Sequence, residues 1–152
     1  MPEVPSTLHF RHRSRGVRRR ALGEFLEQLA ARVAAGRGVV CLITTDAELR
    51  RLNRRFLGQD RATDVLSFPS REPGGPLGEI AISFDRAVGQ ARELGHAVEQ
   101  ELRILMLHGM LHLAGMDHER DRGQMARAET RWRKQLGLPT GLIERSRRQE
   151  RA

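Results

Sequence analysis

Residues 102–118 read LRILMLHGMLHLAGMDH and predict the centre of the domain. The first part of this stretch belongs to an apolar pattern that begins near Val98 and continues to Ala114, with apolar residues on nearly all sides of the predicted helix. A helix of that kind is buried over most of its surface, so we expect it in the middle of the domain. Gly115 is the predicted stop, because glycine readily adopts the left-handed conformation that ends many helices.

Three histidines in this stretch are spaced as metal ligands. His108 and His112 are four residues apart, so they project from one face of the helix and can bind one ion. A turn at Gly115 would bring His118 to the same ion from the following loop. Three imidazoles leave one tetrahedral position open, which is typical of catalytic zinc, although imidazole also suits nickel, copper and iron. The alternative, histidines satisfied by the core or by solvent, is disfavoured because three of the six histidines fall within eleven residues.

Outward from this helix, the sequence predicts an α+β domain. Thr45 and Glu48 form the pattern of a capping box, and the glycine-containing loop 69–76 joins two strands into a hairpin. Helices are predicted at about 17–35, 45–58, 85–95, 98–114 and 121–137, and strands at 39–44, 64–68 and 78–84. This order indicates a small mixed β-sheet packed with helices, the metal-binding helix lying at the centre.

Length and composition fit a single domain over residues 1–152. The chain is 39% hydrophobic and 30% charged, which excludes fibrous and wholly disordered classes. Its net charge of +8 comes from the two ends, a basic N-terminal segment at 11–20 and a basic tail at 146–152 that is predicted to be disordered. Such arms favour a polyanionic partner, although a genome base composition that favours arginine codons could produce them alone.

Cysteine usage and hydropathy predict a soluble cytoplasmic protein. Cys41 lies in the apolar run 39–43, so we expect a small buried side chain in a reducing compartment. The longest apolar region, 102–116, is too short for a membrane span and contains Arg103. The arginines of 11–20 are unlike a signal peptide, so no membrane partner is expected.

The histidine spacing is also that of the metzincin peptidases. Those enzymes carry a glutamate directly after the first histidine, where it acts as general base. Gly109 stands at that position in this chain. Peptide hydrolysis would lack its usual proton acceptor, so a metzincin-like zinc metallopeptidase is the alternative interpretation rather than the first.

Residues 108–118 resemble the signature of the bacterial YbeY-type endoribonucleases, also called rRNA maturation factors, except that Met116 replaces a tyrosine. A second family signature is similar to the segment that ends at Pro69, and a third is similar to 77–83. The second is matched by Asn53, Phe56, Asp60 and the run 63–69. The resemblance covers about residues 40–136 in the family's order, and three linked motifs are far more specific than one.

Two positions depart from the family pattern. Ala62 replaces a proline, and Leu57 occupies the place of an arginine that is thought to engage RNA phosphate. A leucine cannot make that contact. The nearby RNA-binding candidates are Arg54, Arg55 and Arg61, which could equally be ordinary solvated charges.

The resemblance implies a zinc-dependent, single-strand-specific endoribonuclease that acts in 16S rRNA 3′-end maturation and ribosome quality control. The implied cofactor is one Zn²⁺ per chain, and the implied partners are single-stranded RNA, the 16S rRNA precursor and the ribosomal small subunit with its proteins. A bound ion can lower the pKa of a water to about 7 or polarise a phosphoryl oxygen.

Several roles at the implied site stay open. Asp117 either supports a ligand imidazole from behind or caps its own loop. The sequence identifies neither the general base nor the nucleophile, which is water or the ribose 2′-OH. A non-catalytic rRNA-binding chaperone with a structural metal is a further alternative.

Overall fold

A computed structural model describes the chain from residue 5 to residue 151, with side chains described through residue 146. Strands and helices alternate over the first four elements, a pair of strands follows, and the remaining four elements are helices. The elements are β1 (Thr7–Phe10), α1 (Arg19–Val33), β2 (Val39–Thr44), α2 (Asp46–Leu57), β3 (Val65–Pro69), β4 (Gly78–Ser83), α3 (Phe84–Leu94), α4 (Val98–Leu113), α5 (Gln124–Gln135) and α6 (Leu142–Arg151). The predicted α+β class is confirmed.

The four strands form one mixed sheet in the order β1-β2-β4-β3. β1, β2 and β4 are parallel, and β3 pairs with β4 as the predicted antiparallel hairpin. Gly78 begins β4 at a crowded point, where a β-carbon would lie 2.5 Å from the Phe68 carbonyl oxygen and 2.7 Å from Leu113 Cδ2. Glycine at this position therefore lets β3, β4 and the end of α4 meet.

The central helix lies where its apolar surface predicts. α4 packs against β3 and β4 of the sheet and against α1, α3 and α5. Alternate sheet residues such as Cys41 and Ile80 face this helical layer and are fully or almost fully buried. Leu66 and Ala81 point to the other face of the sheet, where Leu49 of α2 covers them. The sheet thus separates α2 from the layer that contains the histidines.

The predicted helix signals act as expected at α2. The Thr45 side chain accepts a hydrogen bond from the backbone N–H of Glu48 at 3.2 Å, and Gly58 ends the helix with a φ of 69°. These caps fix the end of α2 beside β3. Leu57 and its neighbours are thereby placed at the edge of the sheet.

The C-terminal region differs from the prediction. Residues 146–151 continue α6, so the prediction of a disordered tail at 146–152 is wrong through Arg151, and Ala152 lies outside the described residues. Arg145, just before that tail, forms two hydrogen bonds to the fully buried carboxylate of Glu101. This ion pair anchors α6 to α4. Over the residues described, no helix combines the length and the apolar character needed to cross a membrane.

Candidate metal centre

The three predicted ligands come from the last turns of α4 and the loop after it. His108 and His112 are one turn apart on α4. Gly115 has a φ of 97°, and its N–H donates to the His112 carbonyl at 3.0 Å. This left-handed residue reverses the chain, as the sequence predicted, and the reversal returns His118 to the same face.

The histidine side chains surround one point. One ring nitrogen from each of His108, His112 and His118 lies within 4.8 Å of the others. The ring centres are 4.8, 5.4 and 5.4 Å apart. Imidazoles bound to one tetrahedral zinc through bonds of about 2.0–2.1 Å would place their ring centres about 5 Å apart. The observed spacing therefore fits a shared ion.

Local electrostatics keep this cluster suited to a cation. Burial lowers the pKa of His112, and the neighbouring imidazoles of His108 and His118 lower that pKa further. The neutral imidazole is the form that binds a metal. In addition, Nδ1 of His118 is buried with no hydrogen-bond partner among the residues described. The nitrogens thus have unmet bonding capacity toward the shared point.

Glu129 supports His108 from behind, a role that the sequence analysis missed. This α5 residue is fully buried, and its Oε2 lies 2.7 Å from Nδ1 of His108. Its Oε1 accepts a hydrogen bond from the backbone N–H of Ile143 at 2.8 Å. A signal was present in the sequence, because Glu129 interrupts the apolar stripe formed by Met125 and Trp132.

Asp117 takes the second of the two roles considered for it. Its carboxylate accepts a hydrogen bond from the N–H of Glu119 at 3.1 Å, and its carbonyl accepts from the N–H of Asp121 at 3.0 Å. These contacts shape the loop that carries His118. Within the described part of the chain, the carboxylate contact to a candidate ligand imidazole belongs to Glu129 and not to Asp117.

The histidines lie in a cleft of about 1070 Å³. Its walls are the end of α2, the edge strand β3, the end of α3, the 115–119 loop and the start of α6. The lining includes Leu57, Arg61, Ser67, Gln90, Met116, Asp117, Ile143 and Arg145. Such a cleft gives a bulky substrate access to the open side of the histidine cluster.

Of the three arginines predicted to bind RNA, one lines the cleft and two lie outside its lining. Arg61 lines the cleft and is exposed. Arg54 and Arg55 are exposed on the last turn of α2, outside the cleft lining, and the Arg55 guanidinium lies 5.3 Å from the centre of the Phe56 ring. Leu57 is 52% exposed and lines the cleft. Leu57, where the resemblance implies an arginine, therefore lies in the same cleft as the histidines.

Comparison with known proteins agrees with the motifs. The family model described as Endoribonuclease YbeY matches residues 9–137, which include β2, β3, β4, α4 and the histidine loop. The chain belongs to the YbeY endoribonuclease family. This membership confirms the resemblance drawn from the sequence motifs.

Individual YbeY relatives match over nearly their whole length. Endoribonuclease YbeY of Solibacter usitatus is 60% identical over 140 residues, which cover 92% of this chain and 94% of that protein. Endoribonuclease YbeY of Koribacter versatilis is 56% identical over 133 residues, or 86% of each chain. The solution structure of TM1509 from Thermotoga maritima is similar with a TM-score of 0.59 and 31% identity, covering 83% of this chain and 85% of that one.

Proposed function

We propose that this protein is a zinc-dependent endoribonuclease that cleaves single-stranded RNA. The observation that carries the proposal is the meeting of three imidazoles at one point in an open cleft. Three protein ligands leave room on the ion for substrate, which is the pattern of a catalytic zinc site. The relatives from Solibacter usitatus and Koribacter versatilis, both named Endoribonuclease YbeY, support RNA as the substrate.

We propose the biological substrate that the resemblance to the YbeY family implies. The RNA is the precursor of 16S rRNA at its 3′ end, and the enzyme works in the cytoplasm with the ribosomal small subunit in rRNA maturation and ribosome quality control. The basic segment 11–20 supports a polyanionic partner of this kind. One Zn²⁺ per chain is the cofactor.

The residues of the cleft divide the work of binding and orientation. His108, His112 and His118 would hold the ion, which supplies Lewis-acid activation of a phosphodiester when bound. Glu129 holds the imidazole of His108 in place. Arg61 is the exposed cation of the cleft, so it would hold a phosphate beside the histidines. The Arg145 guanidinium donates hydrogen bonds to Glu101, so its role is to stabilise the wall of the cleft.

Gly109 argues against the peptidase alternative. A β-carbon at this position would lie 3.0 Å from Ile80 Cγ2 and 3.1 Å from the Ser67 hydroxyl. The residue after the first histidine therefore faces the sheet at close range. A peptidase glutamate at this position would start from a β-carbon in tight contact with β3 and β4, and Ile80 and Ser67 would have to shift to accommodate it, which disfavours that general base here.

Side-by-side cleavage assays test the proposal. Labelled single-stranded RNA, duplex RNA and casein are incubated with the zinc-loaded protein, with chelator, and with zinc added back after chelation. We expect cleavage of single-stranded RNA alone, lost with chelator and recovered with zinc. His112→Ala should abolish cleavage, whereas His9→Ala, on exposed β1, serves as a matched control that keeps it.

Each contrary result has a clear meaning. Cleavage of casein would support the metallopeptidase. Tight RNA binding without cleavage at any zinc concentration would support the non-catalytic chaperone. RNA cleavage that survives both chelation and His112→Ala would leave the metal without a role.

A further inference from the structure

We propose that Glu129 is a positioning residue that fixes the metal-binding nitrogen of His108. We propose also that it couples metal binding to the packing of the first turn of α6 against α5. The inference rests on the proposed metal site, and it assigns a role to two parts of the chain that follow the histidine motif: α5, which carries Glu129, and the N-terminal turn of α6.

The carboxylate of Glu129 joins two elements through two separate hydrogen bonds. Oε2 lies 2.7 Å from Nδ1 of His108, and Oε1 lies 2.8 Å from the backbone nitrogen of Ile143. The side chain is fully buried, so water does not compete for either oxygen. Loss of one contact leaves a buried polar group unsatisfied. Both contacts are therefore needed together.

This contact selects one tautomer of His108. A carboxylate accepts hydrogen bonds, so Nδ1 of His108 carries the proton that faces Glu129. Nε2 is then the nitrogen left with a lone pair for a metal. Without Glu129, His108 could exchange tautomers or rotate, and the ligand nitrogen would be present only part of the time.

The same carboxylate holds the first turn of α6 beside the histidine cluster. Ile143 and Arg145 of α6 line the cleft that contains the histidines. Arg145 is anchored separately to Glu101, and Glu144 accepts hydrogen bonds from Thr130 and Arg133 of α5. α6 thus forms one wall of the cleft, and its backbone is attached to α5 by the hydrogen bond from Ile143 to Glu129.

Coupling follows from this shared residue. A metal that favours one position of His108 also favours the position of Glu129 that receives the Ile143 N–H. Coupling between two binding equilibria is reciprocal. The factor by which packing of α6 raises the metal affinity therefore equals the factor by which bound metal raises the equilibrium constant for packing of α6.

Gly141 gives independent structural support. A β-carbon at Gly141 would lie 2.5 Å from Oε1 and 3.0 Å from Cγ of Glu129. The chain therefore approaches the carboxylate more closely than any other residue type allows. Gly141→Ala would displace Glu129 while leaving its chemistry intact.

The first test measures zinc affinity of the full chain by competition with a chromogenic chelator. In Glu129→Gln the side chain keeps its size, but the amide has only one accepting oxygen for two donors. We expect zinc affinity to fall about 10- to 100-fold, the usual effect of removing a hydrogen-bond partner behind a metal ligand. Gly141→Ala should lower affinity in the same direction. Gly89→Ala is its matched control, because nothing lies within 4 Å of that added β-carbon, and it should bind zinc as the wild type does.

Glu144→Gln separates the two parts of the proposal. This change weakens the attachment of α6 to Arg133 without touching His108. We expect a smaller loss of zinc affinity than in Glu129→Gln. An equal loss in both variants would mean that α6 packing alone controls the metal, which would overturn the positioning role of Glu129.

Two spectroscopic measurements report effects that a merely structural residue would not produce. Long-range proton–nitrogen NMR spectra of the metal-free protein should show His108 protonated at Nδ1, with mixed tautomers in Glu129→Gln. Hydrogen exchange of the Ile143 amide and its neighbours should slow on zinc addition in the wild type and respond much less in Glu129→Gln. Circular dichroism of each variant checks that the fold is retained.

The outcomes distinguish this inference from the proposed function. Zinc binding by the wild type that is lost in His112→Ala establishes the metal site first. If Glu129→Gln then keeps wild-type zinc affinity, or zinc leaves exchange in α6 unchanged, the coupling is overturned while the metal site stands. Absence of RNA cleavage would count against the proposed function and leave these binding measurements valid.

Discussion

Arg145 holds the fully buried carboxylate of Glu101 through hydrogen bonds of 2.7 and 3.1 Å. A buried pair that loses one partner typically costs about 3–5 kcal/mol, because the other charge stays buried. This arginine therefore belongs to the fold and is not one of the cations available to RNA. Arg18 differs, because its guanidinium also contacts both carboxylate oxygens of Glu99 but its side chain is 76% exposed.

The basic N-terminal segment should contribute to RNA binding through Arg13 and Arg15. Both are exposed, and among the ion pairs of the described residues neither takes part. Replacing both by glutamine should weaken RNA binding and reduce the slope of log affinity against log salt by about 1.4, or about 0.7 for each phosphate contact on a single strand. A salt titration of RNA binding by fluorescence anisotropy measures this slope.

A control with equal loss of charge tests the position of those contacts. Arg32 and Arg37 lie near the other end of α1, about 20 Å along the helix. Their replacement by glutamine should leave the slope nearly unchanged. Equal effects from the two double variants would show that only net charge matters.

Leu57→Arg should raise RNA cleavage. The side chain is 52% exposed in the last turn of α2 and lines the histidine cleft, so an arginine fits there and is favoured by the helix dipole. One charge-assisted contact to phosphate predicts about a tenfold gain in kcat/KM. Leu94→Arg, at another exposed position of the cleft rim, is the matched control. If both variants gain equally, position 57 has no special role.

Zinc should stabilise the folded protein. A ligand at 100 times its dissociation constant adds about 2.7 kcal/mol to the free energy of unfolding, which corresponds to about 5–10 °C in Tm for a domain of this size. Thermal unfolding with zinc and with chelator measures the shift. His112→Ala should show no shift and His9→Ala the full one. A zinc-induced shift that persists in His112→Ala would place the ion elsewhere.

Stability should depend on pH through Glu144. The hydrogen bond from Arg133 holds the pKa of this carboxyl below its usual value in the folded state. Its stabilising effect is therefore present at pH values above the unfolded pKa, and is lost as the pH falls through the folded pKa. Glu144→Gln should reduce the free energy of unfolding by about 1 kcal/mol at pH 7. Urea unfolding at pH 7 and pH 3 should show this difference shrinking toward zero, whereas a constant difference would contradict it.

Cys41 should resist alkylation in the native protein. Complete burial raises the pKa of its thiol to about 12, so almost no thiolate is present at pH 8. Iodoacetamide labelling followed by mass spectrometry should find an unmodified chain in buffer and one label per chain in guanidinium. Rapid labelling without denaturant would mean that β2 opens readily.

The parts of the molecule that sequence predicts well are those fixed by local patterns. The apolar surface of α4 places the helix in the interior, and the spacing of His108, His112 and His118 brings the rings together. The Thr45 cap and the β3–β4 hairpin follow from equally short signals. Each depends on residues close together in the chain.

The parts that sequence misses depend on long-range electrostatics. α6 has few apolar residues, and the structure holds it through carboxylates such as Glu101, which lies 44 residues from Arg145 in sequence. Such pairing is invisible in a single sequence, so a charged segment is interpreted as a solvated tail. Glu129 leaves a local signal as a carboxylate within the apolar stripe of α5, but its partners on α4 and α6 are not visible in the sequence.

The close contact at Gly109 limits how this metal centre can change during evolution. A route from RNA cleavage to peptide cleavage on the same three histidines would start with a glutamate after His108, as in the metzincin pattern. That single replacement would place a β-carbon in tight contact with Ile80 and Ser67, so these two side chains would have to shift to accommodate it. The replacement would therefore cost stability unless those neighbours repack. Two enzyme classes can thus share a ligand spacing while packing at the residue after the first histidine disfavours a direct change from one to the other.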